Sequence, residues 1–391
     1  MDLSTQYLGL TLRSPIVASP GPLTGTVDGI KRLAEAGAGA VVLPSLFEEQ
    51  LRTEAERDSR LADAGTESFG EALSYLRDPG ADPGAGIWPH QYLSLIERAA
   101  AGAGVPVIAS LNGVSPGGWT DYAAAIAQAG AAAIELNIYY LPSDALPSPF
   151  IPARAAERRY SEILAAVKAA VRIPVAVKLS PYFSSFGEVA VVLDQAGADG
   201  LVLFNRFMQT DIDPETLTVS SGFRLSSPAE AALPRAWITR LYGKVQGSLA
   251  ATTGVESAAD VAAYLLAGAD VVMTTSALLR HGPGHVTVLL EGLTSWMNRK
   301  GFDTVGEFRG MLSSVAGRAA YGRAGYLSAI EQATHTYAAR LAVRAGATAT
   351  GIHSPGKQIE TACAEGRRYA SAFTWPANLF QASGPKARTG P

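Results

Sequence analysis

One cysteine, Cys363, stands in 391 residues. That excludes an intrachain disulfide and a cysteine-built metal cluster, so no metal centre is expected. An excess of basic charge is also missing: 32 Lys and Arg face 35 Asp and Glu, for a net charge of -3. Nucleic-acid binders usually carry a basic face, and this balance argues against one. No apolar run reaches the roughly 20 residues that a membrane helix needs. The opening Met1-Asp-Leu-Ser-Thr-Gln has neither the basic stretch nor the apolar stretch of a signal peptide. The expectation is a soluble cytoplasmic protein that binds neither nucleic acid nor membrane.

What is present is a repeat. Short apolar runs alternate with amphipathic helical stretches, the pattern of a parallel sheet covered on both faces. The runs are Pro15–Ser19, Ala40–Leu43, Val105–Ser110, Ala132–Asn137, Pro174–Lys178 and Gly200–Asn205, followed by Val245–Ala251 and Ala267–Thr274. Helices are expected at Val27–Glu35, Tyr122–Gln128, Glu162–Ala170, Val189–Gln195 and Ala258–Leu266. Ala-Gly-Ala recurs after several of them, where glycine can take the left-handed conformation that ends a helix. Eight units favour a closed α/β barrel, the (β/α)8 TIM barrel, which typically needs ~250 residues and tolerates insertions. Two long connections, residues 45–100 after strand 2 and 206–243 after strand 6, leave from the strand ends where barrel active sites form. They are candidates for a lid or a partner surface. Residues 1–340 are expected to form the barrel domain, and 341–391 an irregular C-terminal extension.

The last two units are the most informative. Both strands run into small residues, Thr252-Thr253-Gly254 and Thr274-Thr275-Ser276-Ala277. Such loops let backbone N–H groups approach phosphate oxygens, and in barrels this end often cradles a phosphate. A plain strand–turn–helix is the bland alternative. Three polar residues end other strands: Asn137, Lys178 and Asn205. A lone Asn there is usually a turn former. A lysine inside Val175-Ala-Val-Lys-Leu179 is less ordinary, because buried lysines are rare unless paired. Converging at one barrel mouth, these three side chains would suit a flat heterocycle bearing carbonyls and ring nitrogens.

These motifs resemble the dihydroorotate dehydrogenase family of FMN-binding barrels, and more narrowly a bacterial subgroup of dihydroorotate dehydrogenase-like proteins. The likeness covers roughly residues 1–300. It is carried by Tyr7-Leu-Gly-Leu-Thr-Leu-Arg-Ser-Pro-Ile-Val-Ala-Ser19, Glu135-Leu-Asn137, Val177-Lys-Leu-Ser-Pro181, Asn205 and the paired phosphate loops. The resemblance implies that Ser19 and Gly21 lie beside the flavin, and that Asn137 contacts flavin and substrate. It implies that Lys178 faces the flavin N1/O2 edge, and that Asn205 bonds substrate or flavin. The backbone of Thr253, Gly254, Thr275, Ser276 and Ala277 would hold the FMN phosphate.

The chain departs from the family where the substrate would react. The family usually reads Asn-x-Ser-Cys-Pro-Asn after strand 4, or has Ser at the base position; here the run is Asn137-Ile-Tyr-Tyr-Leu-Pro142. The base position falls on Tyr140, with Tyr139 as the neighbour and His90 as another proton carrier. Tyrosine, with a reference pKa of about 10, is a poor base near neutrality unless perturbed. The family's Lys-Thr at the end of strand 2 is Pro44-Ser45. The expectation is an FMN-dependent oxidoreductase acting on CH–CH bonds, related to pyrimidine metabolism, with an altered substrate. The catalytic candidates are Tyr140, Lys178 and Asn205. A flavin-binding accessory barrel without its own chemistry is the alternative. A small-molecule substrate, an electron-transfer partner and a second copy of the chain are the partners this reading admits.

Overall fold

Period-two alternation inside each apolar run decides the architecture. The computed structural model describes residues 1–51, 53, 89–113, 119–138, 152–206, 209–222, 224–313 and 323–344. Within it, eight parallel strands close into a barrel in chain order: β3 (Ile16–Ala18), β4 (Ala40–Phe47), β5 (Val107–Asn112), β6 (Ala133–Asn137), β7 (Val175–Leu179), β8 (Gly200–Leu203), β11 (Ser248–Ala251) and β12 (Val271–Thr274). One parity, including Ile16, Val41, Val107, Ile134, Val177, Leu201, Leu249 and Val272, packs outward against the helices. The other parity, Val17, Val42, Ile108, Ala133, Ala176, Val202, Ala250 and Met273, forms a separate interior core.

A hairpin of β1 (Thr5–Tyr7) and β2 (Leu10–Leu12) closes the N-terminal end of the barrel. Leu8 (φ 54) and Gly9 (φ 73) at its tip both have positive φ, the geometry of a tight two-residue hairpin. Tyr7, Leu8 and Leu12 join the interior core. Leu8 N–H donates to Ser248 Oγ and Thr5 Oγ1 to Asp270 O, at the start of the last two barrel strands.

The helical expectations hold, and three of the five helices start earlier than expected. The helices run Val27–Glu35, Trp119–Gln128, Ala153–Ala170, Phe186–Gln195 and Ala258–Ala267. All but Ala153–Ala170 end on a glycine with positive φ: at Gly197 (φ 95), Gly197 N–H reaches Asp194 O and Ala198 N–H reaches Leu193 O. Strand β4 extends four residues beyond the expected Leu43. Pro44, which has no N–H to give a neighbour, falls in a register shift against β5 between Val42 and Ser45. Beyond that shift the sheet continues to Phe47. Strand β8 stops at Leu203, short of the expected Asn205, although Asn205 N–H still donates to Leu179 O.

The connection after barrel strand 6 holds an antiparallel hairpin, β9 (Gln209–Asp213) with β10 (Thr218–Gly222), then a 3-10 turn at Pro228–Ala231 and the helix Ala232–Leu241. Most of the connection after strand 2 lies outside the described residues. The chain divides into two units after Arg318, and the second contains the helix Arg323–Arg344. The expected extension beyond that helix is also outside the described residues. Among the described residues no helix is long and apolar enough to cross a membrane.

Candidate functional site

Following the interior parity toward the C-terminal strand ends turns apolar side chains into polar ones. Two residues beyond Val17 stands Ser19; beyond Ile108, Ser110; beyond Ala133, Glu135 and then Asn137; beyond Ala176, Lys178; beyond Met273, Thr275. The register sets these side by side: Ser45 opposite Ser110, Ser110 opposite Glu135, and Asn112, Asn137 and Lys178 across the next row. Lys178 and Asn137 therefore share one end of the sheet.

These groups are joined by hydrogen bonds. Asn205 Nδ2 donates to Asn137 Oδ1 at 2.6 Å, and Asn137 Nδ2 donates to Ser45 Oγ at 3.4 Å. Ser45 and Ser110 hydroxyls lie 2.8 Å apart. Ser110 is fixed from outside by Tyr92, whose hydroxyl accepts from Ser110 N–H at 2.8 Å and donates to Ser110 O at 3.1 Å. Burial pushes the Tyr92 phenol well above its usual range, so it acts as a neutral strut.

Lys178 is buried, and its Nζ meets Glu135 Oε1 at 3.0 Å; the two side chains are 9% and 1% exposed. A lysine this buried needs such a counter-charge. Glu135 Oε2 and Ser19 Oγ are buried without a hydrogen-bond partner among the described residues. Buried polar atoms normally find partners, so each points to a group that completes it. Tyr7 lies beneath; burial first, and then the charge of Glu135, raise its phenol well above the ordinary value.

On the neighbouring strand ends the two small-residue loops are tied together. Thr275 Oγ1 donates to Ser19 O at 2.8 Å and to Pro20 O at 3.1 Å. Gly254 N–H donates to Ser226 Oγ at 3.2 Å, while Ser226 Oγ and N lie 3.1 and 2.9 Å from Ser276 Oγ. Gly254 has φ +70, and an added Cβ would lie 2.7 Å from Ser227 O and 2.9 Å from Ala231. Thr253 also has positive φ (82). At Gly21 an added Cβ would lie 2.8 Å from Thr275 Cγ2, so that methyl group would have to shift. Ala277 is buried in the first turn of Ser276–His281, the short helix that this loop enters. Behind the loops, Arg280 bridges Glu256 at 2.5 Å and Ser226 O at 2.7 Å, and His281 Nε2 lies 2.6 Å from Glu256 Oε1.

The strand-end residues Ser19, Asn137, Lys178, Asn205, Gly254 and Ser276 thus all lie at one barrel end. Tyr139 and Tyr140 lie outside the described residues. His90 is exposed in the first turn of the helix Pro89–Gly102. Sequence reasoning missed three partners. Glu135 carried a readable signal: it is an acid in an apolar strand, two places before Asn137 and so on the same face. Ser226 and Ser110 carried none, because their roles arise from long-range packing.

A dihydroorotate dehydrogenase family model matches residues 2–297. Dihydroorotate dehydrogenase B (NAD(+)), catalytic subunit, of Methanothermobacter thermautotrophicus is 27% identical over 317 residues, covering 79% of this chain and 98% of that protein. The protein of the same description from Methanocella arvoryzae is 30% identical over 311 residues, covering 77% and 94%. Chloroplastic dihydropyrimidine dehydrogenase (NADP(+)) of Arabidopsis thaliana is 23% identical over 333 residues, covering 79% and 76%. The matched region spans the barrel and every strand end just described, and the chain belongs to the dihydroorotate dehydrogenase family.

Proposed function

We propose that this chain is an FMN-dependent oxidoreductase whose substrate differs from dihydroorotate. The observation that carries the reading is the polar strand-end row: Ser19, Glu135–Lys178 and Asn137–Asn205 beside the loops joined through Ser226, Gly254 and Ser276. The residues fit a flavin. The buried Ser19 Oγ lacks a partner among the described residues, Gly21 leaves the backbone bare beside Thr275, and two small-residue loops meet at one corner. Ser19 and Gly21 would lie along the ring and Asn137 and Lys178 at its polar edge. The backbone of Thr253, Gly254, Thr275, Ser276 and Ala277 would take the phosphate. When bound, FMN supplies hydride acceptance and donation.

The protein residues supply the rest. Lys178, held by Glu135, offers a pre-organised cation to negative charge developing beside it. Asn137 and Asn205 fix the substrate plane through amide hydrogen bonds. Tyr140 stands in sequence where the family places its Cys or Ser base, and moving the substrate proton is its proposed role, with Tyr139 and His90 as neighbouring candidates. The loss of a lysine at Pro44 removes a cation from the same edge. The narrower likeness to the bacterial dihydroorotate dehydrogenase-like proteins, an electron-transfer partner, a homodimer and a cytoplasmic setting belong to this proposal. Their support is the motif pattern and composition.

Anaerobic stopped-flow mixing of the flavin-loaded protein with dihydroorotate tests the substrate assignment. A positioned base contributes typically 10²–10⁴-fold, so bleaching should be slow or absent. Bleaching at about 1–10³ s⁻¹, the usual enzyme range, would overturn it. Loss of that bleaching in Tyr140→Phe would then identify Tyr140 as the base.

A further inference from the structure

Glu135 is the acid that the strand-end row buries deepest beside its lysine. Its Oε1 accepts from Lys178 Nζ at 3.0 Å, and its Oε2 is buried without a hydrogen-bond partner among the described residues. We propose that Glu135 is a positioning residue that lowers the flavin potential: it holds Lys178 in place and offsets the lysine's charge. The proposal rests on reading this row as the flavin site.

The placement follows from strand β6. Ala133, Glu135 and Asn137 alternate onto one face of it. Asn137 lies opposite Lys178 and Glu135 opposite Ala176, so Glu135 stands one row deeper in the barrel than its partner. On the other side its register neighbour is Ser110, whose hydroxyl is engaged with that of Ser45 at 2.8 Å. The acid is therefore reached from the mouth through Lys178, and its effect on a bound ring passes through that lysine and through its own charge.

Flavin reduction adds negative charge to the ring. A cation beside the ring favours the reduced form and an acid nearby opposes it, and in a buried setting water screens neither. A buried lysine without its acid is an uncompensated charge, and reduction of the flavin would supply the missing counter-charge. With Glu135 present the pair is matched before reduction, so less is gained. The hydrogen bond alone could be accepted by an amide oxygen; the offset needs the carboxylate. Arg206, next to Asn205, is a further cation at this end, with Nη1 2.7 Å from Glu230 and Nε buried and unpartnered among the described residues. It stays constant while Glu135 and Lys178 are varied.

The midpoint potential of bound FMN, relative to free FMN in the same buffer, gives the ratio of reduced to oxidised affinity. For two electrons a tenfold ratio is about 30 mV. The flavin-loaded full-length wild type, Glu135→Gln and Glu135→Asp are titrated with dithionite against a reference dye at neutral pH. Glu135→Gln keeps the size and an acceptor for Lys178 but loses the charge, and it should raise the ratio at least about tenfold, or about 30 mV. Glu135→Asp keeps the charge on a shorter side chain and should stay nearer to wild type than Glu135→Gln does. A Glu135→Gln potential that does not rise by that amount overturns the proposal. So does Glu135→Asp rising as far as Glu135→Gln, because the effect would then follow geometry and not charge. Should Glu135→Gln fail to fold or to hold flavin, the double variant Lys178→Met with Glu135→Leu decides. Removing both charges should leave the ratio within about tenfold of wild type. A larger fall would mean that Lys178 acts unopposed, and overturns the proposal. A chain that takes up no FMN overturns the flavin reading and this proposal together, whereas a retained flavin with an unmoved potential overturns the proposal alone.

Discussion

At the residue scale the Lys178–Glu135 pair is the buried ion pair of the strand-end row. Both side chains are almost fully buried, and the bond between them, at 3.0 Å, lies in the barrel interior. Removing one partner strands the other charge, which typically costs about 3–5 kcal/mol, whereas replacing both with apolar groups can be nearly neutral. Lys178→Met should therefore unfold at much lower denaturant than wild type. The double variant Lys178→Met with Glu135→Leu should recover most of that loss. Equilibrium urea unfolding of the four proteins of the cycle measures it, and an undiminished penalty in the double variant would mean that the pair is not coupled.

Ser19 gives a second residue-scale test. Its Oγ is buried and unpartnered among the described residues, so Ser19→Ala removes a desolvated hydroxyl from the flavin-free chain. The flavin-free variant should be as stable as wild type or slightly more so, while its FMN affinity falls by a few-fold. Thermal unfolding with and without FMN separates the two effects.

At the element scale the proposed phosphate corner depends on a glycine, Gly254, where a side chain does not fit. Gly254→Ala would place Cβ 2.7 Å from Ser227 O at a residue with φ +70, and the turn Pro228–Ala231 would have to move. Gly254→Asp adds Coulomb repulsion of about 4 kcal/mol at ~4 Å and an effective dielectric of 20, roughly a thousandfold in affinity. Both variants should lose FMN, and Gly254→Asp should lose it completely. Absorbance after denaturation reads the flavin released, and an unchanged content would remove this loop from the phosphate site.

The support behind that corner should depend on pH. The hydrogen bond from His281, with the charge and hydrogen bond of Arg280, holds the Glu256 carboxyl below its ordinary 4.5 against the opposing effect of burial. A carboxyl depressed in the fold stabilises it above the ordinary value, and that contribution is lost as pH falls through the folded value. Glu256→Gln should therefore be less stable than wild type at neutral pH. The difference should shrink below about pH 4 as wild-type Glu256 takes up its proton. A difference that grows on acidification would contradict the assignment.

How much of this was legible in the sequence varies by element. The barrel was readable because each strand repeats one physical pattern, an apolar run with small or polar residues at its C-terminal end. The glycine stops made the helix C-termini sharp, as at Gly197. The extension of β4 past Leu43 was hidden, because proline normally argues against a continuing strand and only the register shift accommodates it. The hairpin at Leu8-Gly9 carried alternating residues and a turn glycine, but it was read only as a family motif. Lys178 announced itself by its apolar setting. Ser226 did not, since nothing local distinguishes a serine that reaches Gly254 and Ser276 from 28 and 50 positions away.

At the scale of the whole molecule, the family model spans residues 2–297 and the first compact unit ends at Arg318. The polar strand ends all belong to that unit. The one measurement that tests the central claim is flavin content. The purified full-length protein is loaded with excess FMN, freed of unbound flavin and scanned, then denatured to release and identify the cofactor. The account predicts a yellow protein carrying about one FMN per chain, as expected for a single barrel mouth. A colourless protein that takes up no FMN, though folded and monodisperse, would contradict it.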